Sequence, residues 1–446
     1  MLSQIPQANQ AHAHRMMQCL MVAVRPLRVE ELAELLAFEF DAAQGGIPKY
    51  RAAWRLDDQT QAVLSTCSSL VTIIDEHRWP YYGHQVVQFS HFSVKEFLMS
   101  DRLTSPLGDF SRYHIHPGPA HTILTQACLG FLLHLDDHID KENVKGFPLA
   151  EYAAQHWVEH AQFEDVASRV KGGIKTLFDS DKPHFAAWIG IYDIDTPEDY
   201  WRRSSDWEIS PKPKPNPLYY SVLCGFYDLV KHLAIKHPQH VNAICGRYKF
   251  PLLAALSEDR IEVAELLLEH GAEVNRRDKN LNNNTPLLLT IERGWFKPVR
   301  ILLEHGADIS AENSNGKAPL HILSELQMYN EDRVLNHARL LLEHGAEVNR
   351  RDRDNQTPLL LAMGRDWFKL ALILLEHGAD ANVENKDGKT LLHILLEHQI
   401  YDINDVRDAF VHTRLRLEDG AKVNRLLGDI PLPLPVEIGT GMYKFA

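Results

Sequence analysis

Three things are scarce in this chain of 446 residues. Cysteine is the first: Cys19, Cys67, Cys128, Cys224 and Cys245 are odd in number, far apart, and match no zinc or redox spacing, so reduced thiols are expected and no disulfide framework. Long apolar runs are the second. The longest near the start, MMQCLMVAV (Met16 to Val24), falls well short of the roughly 20 residues that cross a bilayer. It follows Arg15 as a signal-peptide core would, but no small-residue cleavage site intervenes and RPLRVEELAELLAF reads as its amphipathic, helical continuation. Excess positive charge is the third: 47 Lys and Arg against 60 Asp and Glu leave a net charge of −13, which argues against a polyanion as main partner. These absences predict a cytoplasmic or nuclear chain that meets neither membrane nor nucleic acid.

Catalytic signatures are equally thin. A phosphate-binding loop needs Gly, four residues, then Gly-Lys-Ser/Thr; DGKT at Asp387 has Val383 where the first Gly belongs, and in KGGIKT Ile174 separates Gly173 from Lys175. Neither GxSxG nor HExxH occurs. Histidine is plentiful, at 25 residues, with His156 and His160 spaced for one helical face and His114, His116 and His121 close together. A closed zinc site needs further ligands that neither segment supplies locally. Ser90 and Ser93 flank His91, but Ser93 stands in capping-box spacing with Glu96. The reading is a non-enzyme with no cofactor, no metal and no catalytic residue; a metal-dependent enzyme using the His-rich segment is the alternative from another class.

What is present is repetition. LLEHGAEVN at Leu267 returns at Leu302, Leu341 and Leu374 with little change. Helix starts at Asn216, Phe250, Thr285, Ala318, Thr357 and Thr390 are 34, 35, 33, 39 and 33 residues apart, near the roughly 33 of ankyrin units. Thr caps the first helix with its hydroxyl, and Pro occupies the first helical position. His sits in the last turn of the second, and Gly271, Gly306, Gly345, Gly378 and Gly420 supply its left-handed stop. Residues 216–424 thus resemble the ankyrin repeat family, with TPLH surviving in part at His321 and His393; the segment from about 426 looks like a tail.

A longer period overlies the short one. Pro286 and Pro358, Trp295 and Trp367, and Gly306 and Gly378 are each 72 residues apart, as though a block of two repeats had been copied. Trp295 and Trp367 fall at the turn between paired helices, where polar residues are usual; the Arg pairs Arg276–Arg277 and Arg350–Arg351 fall on alternate turn tips. Trp and Arg are favoured binding anchors, and a concave stack presents alternate repeats on one face. These six residues are the candidate partner-binding set.

In the N-terminal half the order is helix (RVEELAELLAFEF), helix (DDQTQAVLSTCSSL), hairpin (VTIID and QVVQFS) and helix (SVKEFLMSDRL), that of a small winged-helix unit. With AHTILTQACLGFLLHLD and PLAEYAAQHWVEHAQFEDV, these blocks over residues 7–195 are similar to the segment following the nucleotide-binding core in NLR-like fungal NACHT and ankyrin proteins. The resemblance implies a mainly α chain: the end of a preceding helical region (1–24), a winged-helix-like unit (25–105), a helical bundle (106–210), ankyrin repeats (211–425) joined through PKPKPNP, and a tail (426–446). It also implies a protein-binding scaffold or sensor lacking its NTPase core, or a regulatory partner of full-length NACHT relatives.

Overall fold

The computed structural model describes residues 2–388 apart from 41–45, 76–83, 105–109, 136–143, 196–215, 278–281, 327–330, 366 and 385–386. The PKPKPNP joint (but for its last two residues), the sixth repeat with Gly420 and His393, and the tail lie outside the described residues. The chain divides into two compact units, Met1–His270 and Gly271–Ala446.

In the first unit, α1 (Gln10–Val22) ends where the sequence reading continued it. Pro26 offers no backbone donor, and β1 (Leu27–Arg28) instead pairs Leu27 with Val87. The helix expected over RVEELAELLAFEF is cut short too: α2 covers Val29–Ala33, one 3₁₀ turn follows, and Phe38 enters β2 (Phe38–Glu39), paired with β3 (Lys49–Tyr50). The cause is buried charge. Glu34 takes the Tyr50 hydroxyl at 2.5 Å and the Arg55 guanidinium at 2.6 Å, drawing the 49–55 strand and turn against residue 38. Glu31, wholly buried, accepts Arg25 at 2.6 and 2.8 Å, the Arg28 side chain at 2.9 Å and the Arg28 N–H at 2.7 Å, the full set a buried carboxylate needs.

After α3 (Gln59–Cys67), β4 (Val71–Asp75) and β5 (Gln85–Phe89) form the expected antiparallel hairpin, with β1 on the free edge of β5, giving the order β1-β5-β4. α4 (Phe92–Met99) follows, but its cap is His91, not Ser93: the ring Nδ1 accepts the Ser93 N–H at 3.2 Å. His91 is in extended conformation, whereas Ser93 already lies inside the first turn.

The bundle comprises α5 (Pro117–Leu132), α6 (Pro148–Ala161), α7 (Val166–Arg169), α8 (Lys171–Leu177) and α9 (His184–Ile191). Two helix pairs of the repeat half belong to this same unit: α10 (Pro217–Cys224) with α11 (Tyr227–Lys236), and α12 (Pro251–Ser257) with α13 (Ile261–Glu269). Aromatic packing binds them. Trp157 lies edge-on to Trp188 at 5.2 Å and meets Phe226 at 5.5 Å, and Phe185 meets Tyr220 at 5.5 Å. Such pairs add about 0.5–1.5 kcal/mol each beyond area burial. Buried Asp195 completes the joint, accepting the Tyr219 hydroxyl at 2.6 Å and the Arg247 N–H at 2.7 Å, while Asp193 accepts Tyr220 at 2.7 Å.

The second unit repeats the pairing: α14 (Pro286–Glu292) with α15 (Lys297–Glu304), α16 (Pro319–Glu325) with α17 (Glu331–Glu343), and α18 (Pro358–Met363) with α19 (Phe368–Glu376). Thr285 and Thr357 cap as expected, each hydroxyl accepting the third N–H onward at 3.4 Å. Gly306, Gly345 and Gly378 hold φ of +81°, +85° and +89°, so the expected solenoid of capped helix pairs is present. At each stop the next residue returns its N–H to the helix: Ala307 to Leu302, Ala346 to Leu341 and Ala379 to Leu374, at 2.8–3.0 Å. The adjacent His adds its Nδ1–H to the carbonyl four residues back, at 2.8–2.9 Å for His270, His305, His344 and His377. Adjacent repeats are then tied by asparagine. Asn275 donates to the Gly306 carbonyl and accepts the Asp308 N–H, at 3.1 and 2.7 Å; Asn349 does the same to Gly378 and Asp380, at 3.0 and 2.7 Å.

Two substitutions separate these roles. Gly306→Ala meets no side-chain obstacle and should cost about 1 kcal/mol from positive φ alone, less as Gly306→Asn. Asn349→Ala strands two backbone groups and should cost about 1–2 kcal/mol. Urea unfolding of the full chain reads both.

Candidate functional site

In four of the five pairs the first helix ends in a tight turn within the described residues, and the residue ten positions after the cap occupies it: Phe226, Arg260, Trp295 and Trp367. Its N–H returns to the carbonyl five residues back, at 3.2, 2.9, 2.7 and 2.9 Å respectively. The backbone at this position is therefore pinned, and only the side chain varies. In the first pair Phe226 is covered by Trp157 of the bundle and is 7% exposed. Trp295 and Trp367, the sequence candidates, are half-buried. Arg293 lies over the Trp295 ring at 5.2 Å, and the neighbouring Phe296 is buried beneath His337, centroids 4.2 Å apart.

The arginine candidates lie elsewhere. A first helix runs from the inter-repeat loop to the turn and its partner runs back, so at about 1.5 Å per residue the Trp and Arg sets are separated by the helix length, roughly 10–13 Å. They do not form one site. Arg277 donates to the Glu312 carbonyl at 2.6 Å, Arg350 to the Glu312 carboxylate at 2.7 Å, and Arg351 to Asn355 at 2.7 Å; Arg276 is half-buried. Glu312, which the sequence reading did not single out, thus gathers one Arg from each pair. Its only signal was an acid midway between two identical basic motifs.

Among the histidines, the structure brings together two segments that are remote in sequence. His160 and His121 face each other with Nδ1 atoms 2.9 Å apart, and the Tyr152 hydroxyl lies 2.8 Å from His160 Nε2. A neutral His160 satisfies both contacts, accepting at one nitrogen and donating at the other. Both nitrogens are thereby spent. His114 and His116 form a separate pair at 3.0 Å, and among the described residues no group of three or more His, Cys, Asp or Glu is arranged to hold a metal ion. In the repeats, buried His321 accepts the Ala318 N–H at 3.2 Å and reaches the Gln356 carbonyl of the following loop at 3.2 Å.

Residues 252–352 and 329–406 match the ankyrin repeats family, and residues 2–110 match the GPI inositol-deacylase winged helix domain. The chain carries both modules. Over 272 residues it is 30% identical to the azaphilone pigments biosynthesis cluster protein L of Monascus ruber, covering 58% of this chain and 55% of that protein. A shorter stretch of 66 residues is 41% identical to alpha-latrocrustotoxin-Lt1a of Latrodectus tredecimguttatus, covering 15% and 5%. The chain thus spans about half the length of the first relative and a small part of the second. The crystal structure of an ankyrin repeat domain from Acinetobacter baumannii AYE superposes with a TM-score of 0.37 at 26% identity, covering 44% of this chain and 96% of that one. Ankyrin repeats mark a protein-interaction domain, and no helix among the described residues is long and apolar enough to cross a membrane.

The histidine network has a pH signature. Burial, then the neighbouring His121 and His156, holds His160 at about 3; burial, then Arg25, holds His156 at about 4. Below about pH 6.5, the ordinary imidazole value, the unfolded chain therefore binds more protons than the folded one. Stability is full above that pH and falls as pH drops towards 4, by about 1.4 kcal/mol per pH unit for each imidazole kept neutral. Denaturant midpoints between about pH 7.5 and 4.5 should show this decline, and His160→Gln should flatten it by one proton's share.

Proposed function

We propose that the chain is a non-catalytic scaffold whose ankyrin pairs recognise another protein through Trp295 and Trp367, as the recognition or sensor part of a NACHT-type signalling protein. The observation that carries this reading is the shared turn position. In the first pair that position holds Phe226, buried against the chain's own Trp157. In the third and fifth pairs the same pinned position holds a larger aromatic that is only half-buried among the described residues, Trp295 with Arg293 over its ring. A half-buried Trp on rigid backbone is the side chain that contributes most when a partner completes its burial. The arginines enter as orientation rather than anchorage, since Glu312 and Asn355 already engage three of them. Cytoplasm or nucleus suits reduced, buried thiols at all five cysteines.

A second reading, association of the N-terminal half with full-length NACHT relatives, draws on one feature of α4: Phe92, Phe97 and Met99 are 68, 41 and 43% exposed. Deletion of residues 1–195 separates the two readings, since only the second loses its partner.

The Trp reading is tested by capture on the immobilised chain, followed by affinity measurement with the captured protein. Trp295→Ala with Trp367→Ala should weaken binding by roughly 30-fold or more, corresponding to about 2 kcal/mol, with the unfolding midpoint shifted little. Arg277→Ala and Arg351→Ala should change affinity by less than about 1 kcal/mol. Unchanged capture by the double Trp variant removes these anchors.

A further inference from the structure

A cavity of about 570 Å³ opens in the first unit between the bundle and the first helix pairs. Pockets of about 300–1,000 Å³ hold small molecules. Its apolar wall includes Ile174, Phe226 and Leu229, and its charged lining comprises Lys171, Lys175, Arg260, Glu164 and Asp228. One of the two acids is already paired. Asp228 pairs with Lys171 at 2.8 Å, and the hydrogen bond and charge of Lys171, with help from Lys175, hold its carboxyl below the ordinary range. Glu164 turns its carboxylate towards Gly118 at the start of α5.

The cations are not balanced in the same way. Arg260 stands at the turn position that carries Trp in later repeats, and its guanidinium packs over Gly225, where any Cβ would lie 2.8 Å from Cζ. Its Nε is buried and has no hydrogen-bond partner among the described residues. A buried donor left unpaired costs about 1–3 kcal/mol, more when charged. Lys175 lines the same space and forms no salt bridge among the described residues.

We infer that this cavity binds a small organic anion, one carboxylate or phosphate group on a compact apolar body, with Arg260 and Lys175 receiving the anionic group and Ile174, Phe226 and Leu229 the body. The site would span the bundle and the first two helix pairs within one compact unit, so its occupancy would stiffen their joint. A polyanion does not fit, because the carboxylates of Glu164 and Asp228 line the same cavity.

Calorimetric titration of the full chain with phenylacetate, phenyl phosphate and inorganic phosphate tests this. Saturable binding is expected for at least one aromatic anion, more tightly than for inorganic phosphate; which aromatic anion binds distinguishes the carboxylate from the phosphate source. Lys175→Ala, at an exposed position, should weaken it roughly tenfold, and Ser168→Trp, which fills the cavity mouth, should abolish it. Should Ser168→Trp fail to fold, Lys175→Ala decides. No saturation by either aromatic anion up to about 10 mM, the weak end for ligands of this size, overturns the proposal. So does binding indifferent to Lys175→Ala, or equally tight binding of inorganic phosphate.

Discussion

The helices of the repeat half are too short to satisfy themselves. A helix leaves its first four N–H and last four C=O groups without internal partners, and α14, with seven residues, is mostly ends. Everything else in the second unit follows from closing those groups. Thr hydroxyls take N–H groups at the start, the residue after each left-handed Gly returns its N–H at the stop, and the His of each EHGA adds a second donor to the terminal carbonyl. What remains is closed across repeats by Asn275, Asn349 and His321. Stacking is thus a requirement of backbone hydrogen bonding before it is a matter of apolar burial, and it explains why polar residues recur as faithfully as the leucines.

The same constraint leaves one position open to different side chains in four of the described pairs. Where the backbone N–H is pinned five residues back, the turn forms whatever the side chain, and the chain fills this place in three ways: Phe226 against the bundle, Arg260 at a cavity, Trp295 and Trp367 half-buried. A row of identical backbone with unlike side chains is how a one-dimensional scaffold acquires distinct contacts without altering its stack.

Legibility in the sequence followed locality. Caps, stops and the repeat period were readable because each is decided by residues within a turn of one another: Thr285 before Pro286, Gly306 after His305. The β4–β5 hairpin was readable from alternation. What could not be read depended on partners far along the chain. Phe38 leaves the helical pattern because Glu34 must meet Tyr50 and Arg55; α1 stops because β1 finds β5; His91 caps α4 because only its backbone is extended there. For the candidate site, the position of the Trp pair was legible from the 72-residue copy, whereas the engagement of the arginines by Glu312 was not, since it joins residues 35 and 38 apart, through its backbone carbonyl and its carboxylate.

That engagement supports the proposed division of roles between the two candidate sets. An Arg held by Glu312 must give up an existing, partly exposed contact, worth about 1 kcal/mol or less, before it serves a partner. For Trp367 the backbone N–H is already bonded to the Ala362 carbonyl, the side chain has two torsions, and little rotamer entropy is lost when a partner covers it. The net gain on association therefore favours the turn row over the loop tips, even though the tips carry more charge.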